Sequence, residues 1–429
     1  FQAGDTTAAC YGAAFDIGTT TVVGSLMNLA TGDELAVESA MNPQVRFGDD
    51  VLSRINHAGD PDAAEDLRAI IVEQINTLLA ALCDSAGIDA ADIYELSFAG
   101  NTTMEHLLCG IDVSPLGMVP FVPAHARALL LPAAELGFNV HPQAAAYVYP
   151  IIGGFVGGDT VACMIAGDLI DDDGPTLLVD IGTNGEIVLK TGAKIFAAST
   201  AAGPAFEGAR IRYGMRATTG AIDKIVVTDD VTYTVIGDVD PIGLCGSSLV
   251  DLISQLLSAG LLEYTGSMKR PDDLPEGLAP ALAARIRIGE KEQPEFLIAA
   301  TDKGDVVLTQ QDVREVQLAS GAIRAGISIL LANAGVAAGD LKRVLLAGGF
   351  ASFIRRSHAQ RMGLLPGEMD HEVIQYIGNA SLTGARWGLL STEVRQRAET
   401  LARQAEHVEL SQDLNFQMAY ADAMLFPES

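Results

Sequence analysis

The chain has 429 residues, 49% of them apolar, and carries 27 Lys plus Arg against 55 Asp plus Glu for a formal net charge of −28. That length exceeds the ~250–300 residues at which one hydrophobic core stops growing, so two lobes are expected. The acidic balance repels a nucleic-acid backbone or an anionic membrane, and suits a basic partner or a small ligand bound with its metal.

The five cysteines, Cys10, Cys83, Cys109, Cys163 and Cys245, are scattered and include no Cys-x-x-Cys pair. Such usage points to a reducing cytoplasm and to no cluster or zinc site encoded in the chain. No run of 18 or more apolar residues occurs, and the longest uncharged helical candidate, Ala325 to Gly339, is interrupted by Asn333 and three glycines. A soluble protein with no membrane or nucleic-acid partner is expected. The opening Phe1-Gln2-Ala3 has the look of a cleaved tag, so residues 1–11 read as a remnant and lead-in, and the chain as an excised C-terminal portion.

From Gly12 to Leu35 the sequence alternates, predicting two strands joined at Gly18-Thr19-Thr20 and a turn at Thr31-Gly32-Asp33 into a third. Leu67, Ile70, Ile71, Ile75, Leu78, Leu79 and Leu82 then fall at helical spacing. After this helix a Gly cap and a strand lead to Gly100-Asn101-Thr102-Thr103. Gly157-Gly158-Asp159-Thr160 precedes an apolar helix over Val161 to Leu169, where Asp159 reads first as an N-cap and second as a group able to touch a metal-bound water.

Residues 176–199 repeat the opening design around Asp180-Ile181-Gly182-Thr183-Asn184-Gly185-Glu186, with a further turn at Thr191-Gly192. Residues 264–295, rich in Pro, Gly and charge, read as a surface insertion. A helix with Ile323, Ile327, Leu330 and Leu331 follows, and then the strand Val344 to Ala347 ending in Gly348-Gly349-Phe350. Ala86 to Asn101 aligns without a gap on Ala334 to Gly349. One hairpin-helix-strand unit therefore occurs twice, in the same order.

A nucleotide polyphosphate needs backbone amides aimed inward from a tight turn, hydroxyls beside them, and a carboxylate for the hydrated magnesium. Asp16-Ile17-Gly18-Thr19-Thr20-Thr21 supplies all three, and Asp180 to Asn184 supplies them again about 160 residues later. A single Asp-x-Gly-Thr is more often an ordinary hairpin turn; two in matching contexts are not. No Gly-Lys pair exists, so a Walker-type loop is absent, and neither H-E-x-x-H nor G-x-S-x-G occurs.

The two hairpins and the Gly348-Gly349 strand end resemble the phosphate-1, phosphate-2 and adenosine motifs of the actin, sugar-kinase and heat-shock-70 ATPase (ASKHA) superfamily. Gly157-Gly158-Asp159 and Gly378-Asn379-Ala380-Ser381-Leu382-Thr383-Gly384-Ala385 are similar to its two connectors. The resemblance implies an α/β, actin-like ATPase fold of two duplicated RNase H-like lobes, each a mixed five-stranded sheet with flanking helices, around a nucleotide cleft. Expected bounds are 12–165 for lobe I, 166–377 for lobe II, and 378–429 for the return and tail.

Longer strings, Asn42-Pro43-Gln44 with Phe47-Gly48-Asp49-Asp50-Val51, Gly100 to Met104, and Asp180 to Glu186, resemble the C-terminal ATPase domain of the reductive activators of corrinoid proteins. The resemblance implies ATP and Mg2+ as cofactors and a corrinoid protein of a methyltransferase system as partner. It also implies electrons from an N-terminal plant-type 2Fe-2S domain whose thiolates this chain lacks. Whether two copies pair into a homodimer is left open.

It further implies roles for residues. Asp16 and Asp180 hold magnesium through water, Asp180 orients the attacking water, and Asp159 and Glu186 stand behind it as further catalytic candidates. Gly18, Thr19, Thr20, Gly182, Thr183 and Asn184 cradle phosphates, and Gly348, Gly349 and Phe350 back the adenosine. Gly203, Pro204, Phe206, Glu207, Gln311, Arg314 and Gln317 are weaker nucleotide contacts. Rival readings are a small-molecule kinase, with the same carboxylate deprotonating a hydroxyl, and a non-catalytic nucleotide switch.

Overall fold

The computed structural model describes residues 9–172, 174–302, 304–349 and 354–428. The chain forms two compact units. The first takes in the chain through Leu178 with Lys190–Ala198 and Asn379–Val408; the second comprises Val179–Leu189, Ser199–Gly378 and the chain from Glu409 onward.

The first sheet begins as an antiparallel meander of β1 (Tyr11–Ile17), β2 (Thr21–Asn28) and β3 (Glu34–Met41). Strand β4 (Ile93–Gly100) lies parallel to β1, and β5 (Leu129–Pro132) is antiparallel at the edge of β6 (Ala145–Val148), which lies parallel to β4. The order is β3-β2-β1-β4-β6-β5. Its helices are α1 (Val51–His57), α2 (Pro61–Ala86), α3 (Thr102–Cys109), the single turn α4 (Ala133–Leu136) and α5 (Gly158–Ala166).

Successive strand residues point to opposite faces, and β1 uses both. A side chain at Gly24, which pairs with Phe15, would meet Phe15 and Leu82 of α2. A side chain at Gly12 would instead meet Leu389 of α10 (Ala380–Leu390). Asp16, two pleats on from Gly12, shares the α10 face. Helix α2 opens with Asp60 as N-cap and Pro61 at its first position, and ends on Gly87 in the left-handed region, φ +68°. Its seam of Leu67, Ile71, Ile75, Leu78, Leu79 and Leu82 is buried, each side chain stabilising by at most about 1.5–3 kcal/mol. Phe15, Phe98 and Phe138 stack in that core with centroids 5.4 and 5.1 Å apart.

The second sheet runs β17-β16-β7-β8-β9-β18. Its strands are β7 (Thr176–Ile181), β8 (Gly185–Thr191), β9 (Lys194–Thr200), β16 (Arg343–Ala347), β17 (Ile374–Gly378) and β18 (Ala405–His407). Between them lie two three-stranded sheets. One contains β10 (Ala221–Val227), β11 (Val231–Val235) and β12 (Gly243–Leu244); the other contains β13 (Ile286–Ile288), β14 (Pro294–Thr301) and β15 (Gly304–Thr309). The remaining helices are α6 (Gly246–Ser258), the single turn α7 (Pro280–Ala283), α8 (Gln310–Ala334), α9 (Arg356–Arg361), α11 (Thr392–Gln404) and α12 (Leu414–Ala423), the last packed on α8.

Two expectations are corrected. Each large sheet has six strands, not five. The extra strands are β5, four residues ending in Pro132, and β18, three residues directly after a helix; neither is long enough to show alternation. Helix α5 starts at Gly158 with Gly157 as N-cap, so Asp159 stands inside its first turn and is not the cap.

The duplicated design is visible in the coordinates. Helix α8 ends like α2 on a left-handed glycine, Gly335 at φ +65°, and each glycine is followed by a 3-10 turn and then a strand, β4 or β16. Both helices are long and apolar enough by composition to cross a membrane. In each the apolar seam is instead buried within its own unit.

Candidate functional site

In the first unit, the tight link between β1 and β2 is Gly18-Thr19-Thr20, closed by the Gly18 amide donating to the Thr21 carbonyl at 3.0 Å. A Cβ on Gly18 would lie 2.7 Å from that oxygen, so the turn accepts only glycine there. All three carbonyls of the turn accept hydrogen bonds. Asn42 Nδ2 donates to Gly18 O at 2.9 Å, Arg54 Nη2 donates to Thr19 O, and the Asn42 amide donates to Thr20 O at 2.9 Å. Because C=O and N–H are antiparallel in a trans peptide, the amides of Thr19 and Thr20 turn to the opposite side. Asn101, the N-cap of α3, also donates from Nδ2 to Thr19 Oγ1 at 3.0 Å.

Asp16 stands beside this turn. Its carboxylate accepts from Ser381 Oγ at 2.8 Å and from Asn379 Nδ2 at 2.9 Å. Asn379 caps α10 and accepts from the Leu382 amide at 2.9 Å, so a helix start presents both donors. Burial raises the Asp16 carboxyl above its ordinary value, against the lowering effect of these two bonds. A cation nearby would reverse that imbalance.

Asp159 accepts from the Thr160 amide at 2.6 Å at the positive end of α5. The backbone there is closely packed: a Cβ on Gly157 would lie 2.5 Å from both Gly100 O and Thr102 N. Glu105 is fully buried behind it, with Oε1 accepting from the Gly100 amide at 3.2 Å and Oε2 without a partner among the described residues. Burial first, and the Asp159 charge second, push its carboxyl well above the ordinary range.

In the second unit, Asp180 lies near the end of β7 and the Gly182 amide closes the next turn onto Asn184 O at 3.1 Å. Thr183 Oγ1 donates to both oxygens of Glu207 at 3.0 Å, and the Gly203 amide donates to Thr183 O at 2.8 Å. Gly203, Pro204, Phe206 and Glu207 thus belong to one loop against the hairpin, with the Phe206 ring buried. Glu186 is buried on β8 and accepts from Ser199 Oγ at 3.4 Å. Gly348 follows β16 at φ +99°, and a Cβ there would lie 2.6 Å from Ile181 O and 3.1 Å from Asp180 Oδ1. Gly349 has nothing within 4 Å among the described residues, and Phe350 lies outside them.

Gln311 and Arg314, on the first turns of α8, line a depression of about 710 Å³ together with Arg210, Arg212 and Lys291. Arg314 Nη1 donates to Gln317 Oε1 at 2.7 Å, and Gln317 Nε2 to Met424 O at 2.7 Å.

Comparison with known proteins gives this geometry a family. Residues 174–429 match the C-terminal domain of RACo, the ASKHA domain, and residues 11–172 match the RACo middle region. A corrinoid activation enzyme, RamQ, from Eubacterium limosum is 38% identical over 98% of this chain and 71% of its own length. A methylated amine-specific corrinoid protein reductase from Methanosarcina barkeri is 27% identical over 88% of this chain and 69% of its own length. The solved structure of a reductive activator for corrinoid, iron-sulfur protein superposes with a TM-score of 0.89 at 35% identity, covering 100% of this chain and 68% of that one.

The chain belongs to the RACo family. Its actin-like ASKHA domain is a nucleotide-binding fold; the Asp180 hairpin lies in the residues matched to that domain and the Asp16 hairpin in the matched middle region. Among the described residues no group of three or more His, Cys, Asp or Glu is placed to cage a metal. Single carboxylates suit magnesium, which dehydrates reluctantly and takes few protein ligands beside substrate phosphates.

Sequence reasoning missed Arg54 and Glu105 as parts of this RACo-family site, and quoted Asn42, Asn379 and Ser381 only within family strings. Asn42, Arg54, Asn379 and Ser381 act across 24 to 365 positions, whereas Glu105 bonds the Gly100 amide five residues back. A polar residue in an apolar helix, such as Glu105 in α3, was the one local signal available.

Proposed function

We propose that this chain is the ATP-binding and ATP-hydrolysing part of a reductive activator, returning the corrinoid protein of a methyltransferase system from cob(II)alamin to cob(I)alamin. The observation that carries this reading is the 38% identity along 98% of the chain to an enzyme named for corrinoid activation. None of the five cysteines is disulfide-bonded, and Cys83, Cys163 and Cys245 are buried, so the one electron is taken to come from a 2Fe-2S domain that these thiols do not build.

In this reading Asp16 and Asp180 would hold hydrated magnesium, and the amides of Thr19 and Thr20 would donate to phosphate oxygens, as would those of the Gly182–Asn184 turn. Bound magnesium supplies charge neutralisation of the phosphates. Asp180 orients the attacking water, with Asp159 and Glu186 as the next candidates for that role; Gly348 and Gly349 let the adenosine approach the backbone. Hydrolysis yields ADP and inorganic phosphate.

The test is anaerobic incubation with a cob(II)alamin protein and a low-potential reductant, following cob(I)alamin absorbance with and without ATP. ATP-dependent cob(I)alamin formation that disappears in Asp180→Ala is expected. Transfer of γ-label to a metabolite, or cob(I)alamin formation indifferent to ATP, overturns the reading.

A further inference from the structure

Arg54 has no accessible surface, yet it carries a charge. Burial lowers its guanidinium only to about 10, against the raising influence of Asp50 and Asp49, so it remains cationic at neutral pH. Its Nε donates to Gly48 O at 3.1 Å, Nη1 donates to Gln44 Oε1 at 3.2 Å and approaches Met104 Sδ at 3.3 Å, and Nη2 donates to Thr19 O. Every partner is neutral. Asp50 and Asp49 act on it only through space, and no carboxylate accepts a hydrogen bond from it among the described residues. A buried cation held only by neutral acceptors is costly, and an apolar side chain of similar volume is commonly the more stable choice. The charge therefore asks for a reason, and its location supplies one: it sits directly behind the Gly18–Thr20 turn, whose Thr19 and Thr20 amides point to the other side.

We propose that Arg54 is a positioning residue for a polyphosphate: it locks the turn through the Thr19 carbonyl, and its buried charge is compensated by the phosphates bound on the turn's other face. This rests on the nucleotide reading above and sharpens it, since the benefit of Arg54 grows with the number of phosphates. Two effects act together. The fork fixes the direction of the Thr19–Thr20 peptide, and the buried charge, only partly offset by Asp50 and Asp49, adds a field that screening by salt reaches poorly at a buried site. Nucleotide binding then relieves a penalty that the ligand-free fold carries.

The experiment titrates MgATP, MgADP and adenosine into the wild-type chain, Arg54→Met and Arg54→Lys by calorimetry, and melts each with and without ligand. Arg54→Met is expected to lose about tenfold or more in MgATP affinity, less for MgADP and nothing for adenosine, with the ligand-induced rise in melting temperature reduced in the same order. Arg54→Lys keeps the charge and loses the three-way fork, so its MgATP affinity falls in between. Equal losses for adenosine and MgATP, or unchanged MgATP affinity in Arg54→Met, overturn the proposal. If Arg54→Met does not fold, an unchanged MgATP-to-adenosine ratio in Arg54→Lys overturns it equally. A wild-type chain that binds none of the three ligands overturns the nucleotide reading instead.

Discussion

Two adjacent glycines should respond in opposite ways to the same added methyl group. Gly348 sits at φ +99°, where an L-residue costs about 1–3 kcal/mol, and its new Cβ would lie 2.6 Å from Ile181 O. That neighbour is main chain, so no rotamer relieves the clash and overpacking adds about 1–3 kcal/mol. Gly348→Ala should thus destabilise by about 2–5 kcal/mol, or roughly 5–15 °C in melting temperature for a unit of this size. Ile181 is the last residue before the Gly182 turn, so whatever movement accommodates the methyl displaces the hairpin, and nucleotide affinity should fall at least about tenfold. Gly349→Ala meets nothing within 4 Å among the described residues and should melt within about 1 °C of wild type. Its nucleotide affinity should still fall if, as proposed above, the adenosine approaches the backbone there. Differential scanning fluorimetry and calorimetric titration read both. A wild-type melting temperature in Gly348→Ala, or wild-type affinity in Gly349→Ala, refutes the reasoning.

Asp180→Ala should abolish ATP turnover while the melting temperature moves by a few degrees at most; steady-state turnover within a factor of a few of wild type removes Asp180 from the mechanism. Ser381→Ala removes a 2.8 Å bond to a charged acceptor, about 1.5–3 kcal/mol, and should raise the magnesium concentration for half-maximal turnover about tenfold; an unchanged magnesium curve counts against Asp16 as its holder. His106 is buried and neutral: Nδ1 donates to Thr102 O at 2.7 Å, Nε2 accepts from the Ala124 amide at 3.1 Å, and burial, with His125 beside it, holds the ring down at about 4. A depressed imidazole contributes stability that is complete above its unfolded value near 6.5 and is lost as pH falls toward 4, up to about 3 kcal/mol. Melting temperatures between pH 7.5 and 4.5 should therefore fall more steeply for wild type than for His106→Gln, and parallel curves would contradict this assignment.

Much of the architecture was legible because the signals are local and repeated. The alternation around Asp16 and Asp180 marked the hairpins, Leu67 to Leu82 and Ile323 to Leu331 marked the long helices, and Gly87 and Gly335 marked where each ends. Strands β5 and β18 escaped because three or four residues carry no period. Asp159 was misread as a cap because the cap is Gly157, two residues earlier, which has no side chain to signal it.

The amino-acid sequence alone determined the two phosphate-type turns, since a tight turn and its flanking strands depend on residues within a few positions of one another. What surrounds the first turn was decided only by tertiary structure. Arg54 and Asn42 reach its carbonyls from the segment after β3, Asn101 reaches the Thr19 hydroxyl from the end of β4, and Asn379 and Ser381 reach Asp16 from more than 360 positions downstream. Hydrogen bonds and buried charge act over a few ångströms, and spacing along the chain says nothing of which residues will lie that close.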